Sequence, residues 1–350
     1  MLNEQEKTKF TNSISDVLKS LSSRGEDIIS RRFGLKTGTV ETLESIGKKY
    51  KITRERIRQI EEASLRELRK NFDGFNLKDE VIRIKGILSS YGNVIREDFL
   101  FHEFSGSHQY NKVNAALVFL MTIASNFERH PEDFKYYNIW TAKDPFYISQ
   151  AKEITEKLLN GFKKSDSIVR EAELISFFNK TANQDITDKK VTLSYLSLSK
   201  LIGKNIFGEY GLVNWPEVRP KGIKDKAYLV LKREKMPLHF RNIANLINSH
   251  RFDSKKANIQ TVHNELIKDK RFVLVGRGLY ALSEWGYEAG TVKDVLADLL
   301  KKNGPMTKEK IIAKTAEVRF VKPNTVLLNL QDKKLFQKDE KGFYKLVERA

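Results

Sequence analysis

Apolar residues in the first 70 positions recur at helical spacing. Phe10, Ile14, Val17, Leu18 and Leu21 share one face, Ile28, Ile29 and Phe33 a second, and Leu43 with Ile46 mark a short third helix. A fourth helix is expected after Thr53, whose hydroxyl suits an N-cap, running to about Lys70, where Asn71-Phe72-Asp73-Gly74 stops it. Beyond residue 75 a unit recurs by shape more than by letters: helix, short apolar turn, two helices, then two β-rich stretches ending on an aromatic. Its first copy starts near Lys78, turns at Val94-Ile95 and ends at Phe134–Trp140. The second starts near Ile148, turns at Ile168-Val169 and ends at Gly211–Trp215. The third starts near Ile223, turns at Pro237–Phe240 and closes with a hairpin, Arg271–Val275 and Leu279–Leu282 around Gly276-Arg277-Gly278. The fourth starts near Val292, turns at Pro305-Met306-Thr307 and pairs Leu335–Lys338 with Gly342–Leu346.

Three helices with a terminal hairpin describe a winged helix. The expected fold class is mainly α, an N-terminal helix-turn-helix domain followed by tandem winged-helix modules with small β-hairpin wings. The expected division is 1–74 (helix-turn-helix), 75–145 and 146–219 (winged-helix-like), 220–288 (winged helix-turn-helix) and 289–350 (C-terminal winged helix). Only 7 prolines and 19 glycines occur, with no Ser/Gly or Pro tract, so short connectors or helices must join the modules.

Charge sharpens the picture. Lys and Arg number 63 against 45 Asp and Glu, a formal charge of +18, with a pI near 9.6. Polyanions are the usual partners of such a chain, because each phosphate neutralised releases counterions. No apolar run reaches the ~18–20 residues of a membrane span, and the first residues resemble neither a signal nor a transit peptide. The expectation is a cytoplasmic, nucleoid-associated protein with no membrane partner. Zero cysteines excludes disulfides and thiolate metal sites.

The segment Thr42–Arg69 carries the candidate chemistry. Gly47 is expected just past a short helix, where two steeply crossing helices need a small residue or a left-handed turn. On the next helix Ile57, Ile60, Ser64 and Leu68, with Leu65, form a core stripe. Arg54, Glu55, Arg58, Gln59 and Glu62 fall on the opposite stripe. A helix-turn-helix reads the major groove from that N-terminal end, where Arg pairs with guanine, Gln with adenine, and Glu accepts from cytosine. The same pattern also describes a solvated face laced by Glu55–Gln59 and Arg58–Glu62 pairs.

The letters favour the first reading. Arg31-Arg32-Phe33-Gly34-Leu35, Thr42–Gly47, Ile52–Glu61 and Leu65–Arg69 resemble region 4 of the bacterial primary sigma-factor family, over about residues 10–70. That resemblance implies that Arg54, Glu55, Arg58 and Gln59 read base edges of a −35-type promoter element, while Arg56 and the helix start at Thr42 approach phosphates. It also implies a polymerase contact through the apolar surface of the first two helices, with Ile14, Leu18, Ile28 and Phe33 as candidates. Plain core packing is the competing role for those four. Nothing in the chain resembles region 2 of that family, the promoter-melting part, so a regulator that borrowed the −35 reader is expected rather than a free-standing sigma factor.

Residues 222–285, through Ala227–Leu231, Pro237–Ala244, Ile259–His263 and Gly276–Tyr280, resemble a HARE-type helix-turn-helix domain, a family that includes the folded domain of the RNA polymerase delta subunit. Between Lys221 and Gly290 basic residues outnumber acidic ones 14 to 7. Arg277, between two glycines at the wing tip, suits entry into a minor groove or simply an exposed turn. His239 and His263 sit in apolar patterns that suit packed histidines better than metal ligands. No GxxxxGK[ST], HExxH, GxSxG or EF-hand pattern occurs, so no enzyme, cofactor, metal or small-molecule substrate is expected. The expected function is sequence-specific transcription regulation on double-stranded DNA, with RNA polymerase as partner. Two rivals are a delta-like polymerase accessory subunit and a DNA-targeting subunit of a modification or restriction system.

Overall fold

Each of the first four helices begins on a residue that satisfies its own free N–H groups. The chain was studied as a computed structural model, which describes residues 1–287, 290–319 and 321–347. The expected junction at residues 288–289, and residues 348–350, lie outside them. Helix α1 (Glu4–Leu18) opens on an Asn3/Glu6 capping box, α2 (Ser23–Phe33) on Ser22, α3 (Leu43–Tyr50) on Thr42 and α4 (Arg54–Lys70) on Thr53. Gly34 ends α2 at φ 68°, and a Cβ there would lie 2.7 Å from the Thr39 backbone, so this turn requires glycine.

After α4 the order helix, short strand, two helices, hairpin repeats. The first round is α5 (Lys78–Ser90), β1 (Val94–Arg96), α6 (Glu97–Ser105), α7 (Lys112–Ile123), β2 (Phe127–His130) and β3 (Ile139–Ala142). The three strands form one antiparallel sheet in the order β1-β3-β2, Ile95 opposite Trp140 and Arg129 opposite Trp140 on the other side. The second round is α8 (Pro145–Ser165), α9 (Leu174–Ala182), α10 (Lys189–Ser197), β4 (Ile202–Lys204) and β5 (Tyr210–Leu212), where a single Val169–Tyr210 bridge stands for the first strand.

The third round runs α11 (Ile223–Glu234), β6 (Leu238–His239), α12 (Phe240–His250), α13 (Ile259–Lys268), β7 (Phe272–Gly276) and β8 (Leu279–Leu282). The fourth runs α14 (Val292–Asn303), α15 (Lys308–Val318), α16 (Pro323–Leu330), β9 (Phe336–Lys338) and β10 (Tyr344–Leu346), with a Met306–Tyr344 bridge. The architecture is mainly α with small antiparallel hairpins, as the sequence pattern predicts. Val94-Ile95, expected as a turn, is the edge strand of its sheet. The aromatic run at Phe134–Tyr137 lies outside the strands, and Phe134 is exposed.

The chain divides into two compact units, residues 1–204 with 208–214, and residues 205–207 with 215–350. Within the first, one hydrophobic core runs from Phe10, Ile14 and Leu18 through Leu65 and Leu68 to Leu117, Phe119 and Trp140. Residue 74 is therefore no break in packing: α7 lies against α1, α2 and α4. In the second unit, residues 227–282 and 295–336 enclose separate cores.

Candidate nucleic-acid interface

Helices α3 and α4 meet through a tight turn. Gly47 lies inside α3 rather than beyond it, and a Cβ there would stand 2.8 Å from the Ile52 carbonyl oxygen. The left-handed conformation falls instead to Lys51, at φ 55°. Ile28, Ile46 and Ile57, all wholly buried, pack α2, α3 and α4 into a small second core. Ile57, Ser64, Leu65 and Leu68 turn inward, as the stripe predicts, with Ile60 half-buried.

The opposite face is open. Arg54, Glu55, Arg56, Arg58, Gln59 and Glu62 are all exposed. Arg58 lies between two carboxylates, donating from Nη2 to Glu55 Oε1 at 2.6 Å and from Nη1 to Glu62. The Glu55 hydrogen bond, ahead of other causes, raises the guanidinium pKa and lowers that of Glu55, so both groups are charged. Arg56 donates to Gln59 Oε1 at 3.1 Å. The pairs are thus Glu55–Arg58–Glu62 and Arg56–Gln59, rather than the Glu55–Gln59 contact expected from spacing alone. Exposed pairs of this kind are weakly held, so these side chains exchange partners readily. Arg54 carries no ion pair among the described residues.

Thr42 is exposed and its hydroxyl accepts from the Ser45 N–H at 3.1 Å. Its role here is to cap α3, and only the backbone at that helix start remains to meet an anion. Arg277 is exposed at the tip of the β7–β8 wing. Gly278 follows at φ 70°, its missing side chain leaving room for the His239 ring. His239 accepts from the Arg241 N–H and stacks on Phe240, which stacks in turn on His263. Both histidines therefore have packing roles.

The four candidate polymerase contacts do not form an exposed patch. Ile14, Leu18 and Ile28 are buried. Phe33 is half-buried, its ring edge 5.4 Å from Phe119 of α7, and its carbonyl accepts from the Tyr110 hydroxyl at 2.8 Å. The physical reason is α7, which covers the apolar side of α1 and α2.

A polar clamp that sequence reasoning missed holds the helix pair in place. Asp27 accepts from the Tyr50 hydroxyl and from Arg31 Nε, each at 2.6 Å; Arg31 Nη1 reaches Glu41 at 3.0 Å, and Lys49 reaches it at 2.8 Å. Burial pushes the Asp27 carboxyl up, but Tyr50 and Arg31 outweigh it and hold it below its ordinary 3.8. The Lys49 ammonium, against burial and with help from Arg31, holds Glu41 below its ordinary 4.5. Arg32 pairs with Glu61 at 3.3 Å, tying α2 to α4; burial raises the Glu61 carboxyl against that pull. Only Asp27 and Arg31, four apart on one helix, were detectable as a pair from spacing.

Two stretches of the chain match known families. Residues 17–70 match the family described as "Sigma-70, region 4", and residues 222–285 match the HARE-HTH family, described as a "restriction endonuclease HTH domain". An RNA polymerase sigma factor SigA of Bacillus sp is 48% identical over 66 residues, covering 19% of this chain and 18% of that protein. The SigA of Lactococcus lactis subsp. cremoris is 46% identical over 56 residues, 16% of this chain and 15% of its own. The chain thus spans under a fifth of the length of these curated relatives. Together the two family matches, one on each compact unit, support a DNA-binding regulator.

Proposed function

We propose that this chain is a sequence-specific transcription regulator that reads a promoter-like duplex with α4. The observation that carries the reading is the exposed N-terminal half of α4, where Arg54, Glu55, Arg58 and Gln59 stand together on a support that is packed on its other side. Docked in a major groove, Arg58 exchanges Glu55 and Glu62 for the O6 and N7 of a guanine, Gln59 exchanges Arg56 for an adenine, and Glu55 becomes free to accept from a cytosine. Arg56, the α3 start at Thr42 and the wing-tip Arg277 contact phosphates or a narrow minor groove.

The modules are proposed as 1–74, 75–145, 146–219, 220–288 and 289–350, of which the first two share a core. RNA polymerase is the proposed partner at the promoter, on the strength of the SigA likeness over residues 17–70. With Ile14, Leu18 and Ile28 buried, that contact uses surface outside these side chains. Genome-wide occupancy mapping, with polymerase co-purification before and after nuclease treatment, tests both halves. Occupancy focused at promoters supports the reading, and uniform occupancy defeats it. The match at 222–285 to a family described by restriction endonucleases favours one alternative, a DNA-targeting subunit of a modification system; binding that changes with DNA methylation would support that alternative.

A further inference from the structure

The third helix of a winged-helix unit is the slot from which such a module meets a groove. In the first two rounds that slot is filled from within the chain. Helix α7 buries Asn114–Met121 and Ile123, packing on α1, α2 and α4. Helix α10 buries Thr192, Ser194, Tyr195 and Leu196 against β1 and α8, and the Ser194 hydroxyl donates to the Val94 carbonyl. The C-terminal round, residues 291–347, differs. Val326 and Leu330 anchor α16 in its core, while Asn324 and Leu328 stay exposed.

Lysines surround this open helix. Lys322 precedes it, Lys333 and Lys334 follow it, and Lys338, Lys341 and Lys345 line the β9–β10 wing. All six are exposed and make no ion pair among the described residues. The nearby acids are engaged in holding the fold. Asp332 pairs with Lys293 and accepts from the Lys334 N–H at 3.1 Å, and Asp339 closes the wing turn by accepting from the Phe343 N–H at 2.8 Å. Among residues 291–347 there are twelve lysines and one arginine. That arginine, Arg319, is buried and donates to the Gly290 carbonyl.

We propose that this C-terminal module is a sequence-indifferent clamp on the phosphates of duplex DNA. Lysine is a compact point charge that neutralises phosphate without reading a base, whereas the planar arginine fork reads guanine. The N-terminal half of α4 exposes three arginines and no lysine; the C-terminal module exposes the reverse. A helix beside a projecting hairpin fits the roughly 12 Å major groove of B-form DNA and not the narrow groove of A-form RNA. The choice of DNA over other polyanions also rests on the proposed role of α4.

The test uses the full-length chain carrying Lys338→Ala, Lys341→Ala and Lys345→Ala together, on two duplexes of equal length: the site selected by the parent and a scrambled sequence. A second triple, Lys322→Ala with Lys333→Ala and Lys334→Ala, guards against a local collapse of the wing. The expected result for both triples is about tenfold weaker binding to both duplexes, with their affinity ratio unchanged. The slope of log affinity against log salt should become shallower by about 2–3, near 0.9 for each phosphate no longer neutralised. Unchanged affinity and slope, or a loss confined to the selected duplex, would overturn the clamp. A parent that shows no preference between the duplexes would refute base reading by α4, while the two triples still decide the clamp on total affinity.

Discussion

Helices α4 and α7 each end the three-helix part of neighbouring modules, and they have opposite fates. Helix α4 turns four residues inward, Ile57, Ser64, Leu65 and Leu68, and leaves its arginine face in water. Helix α7 buries nine of its twelve residues. The difference lies in the polar half of the helix. Helix α4 alternates apolar and charged positions at helical period, so only one side can be covered. In α7 the run Val113–Ile123 offers no charged residue after Lys112, and Ala115 and Ala116 let neighbouring helices approach closely. A motif that reads DNA in one module has become the joint that fixes that reader in the next.

The largest expected effect breaks this joint. Phe119→Ala should cost about 3–5 kcal/mol in urea denaturation of the full chain and lower DNA binding with it, because Phe119 is wholly buried against Phe33. If residues 1–74 held a self-sufficient core, their unfolding would not respond. Gly47→Ala comes next, at about 1–3 kcal/mol, since its Cβ meets the Ile52 carbonyl and must push α3 from α4. DNA affinity should fall with it, measured by titration at fixed salt.

Acid probes the clamp beneath the reader. Asp27 and Glu41 are held below their ordinary values of 3.8 and 4.5 in the folded chain, so unfolding takes up protons in acid. Their stabilisation is complete above the ordinary carboxylate range, and it is lost as pH falls through the folded values. Glu61, raised by burial, contributes with the opposite sign as it ionises. Asp27→Asn should therefore flatten the acid limb of a stability-against-pH curve; an unchanged limb would show that the clamp contributes nothing. The smallest effect belongs to Glu62→Gln, which frees Arg58 on one side. Stability should not move measurably, and affinity for any duplex should rise by less than about threefold.

Much of this was legible in the chain. The Thr53 cap, the inward stripe of α4, the repeated element order and the Gly276–Gly278 wing turn all follow from local pattern, because caps, helical period and hairpin turns are set by neighbours in sequence. The burial of Ile14, Leu18, Ile28 and Phe33 was not separable from an exposed docking patch, since both need apolar residues at the same spacing. Their true partner, α7, lies more than 75 residues further on. The all-round apolarity of Val113–Ile123 was the signal that could have revealed it. The Asp27–Tyr50–Glu41 clamp was hidden for the same reason, as it joins residues that only the folded helix pair brings together.

One measurement bears most directly on base reading by α4: selection from a randomised duplex pool at moderate salt, run in parallel with the parent chain and with Arg58→Ala and Gln59→Ala. The parent should recover a defined motif, and each variant should bind that motif roughly ten- to a hundredfold more weakly and lose preference at one base position while still folding. A parent that enriches no sequence, or variants that return the parental motif intact, would contradict the account.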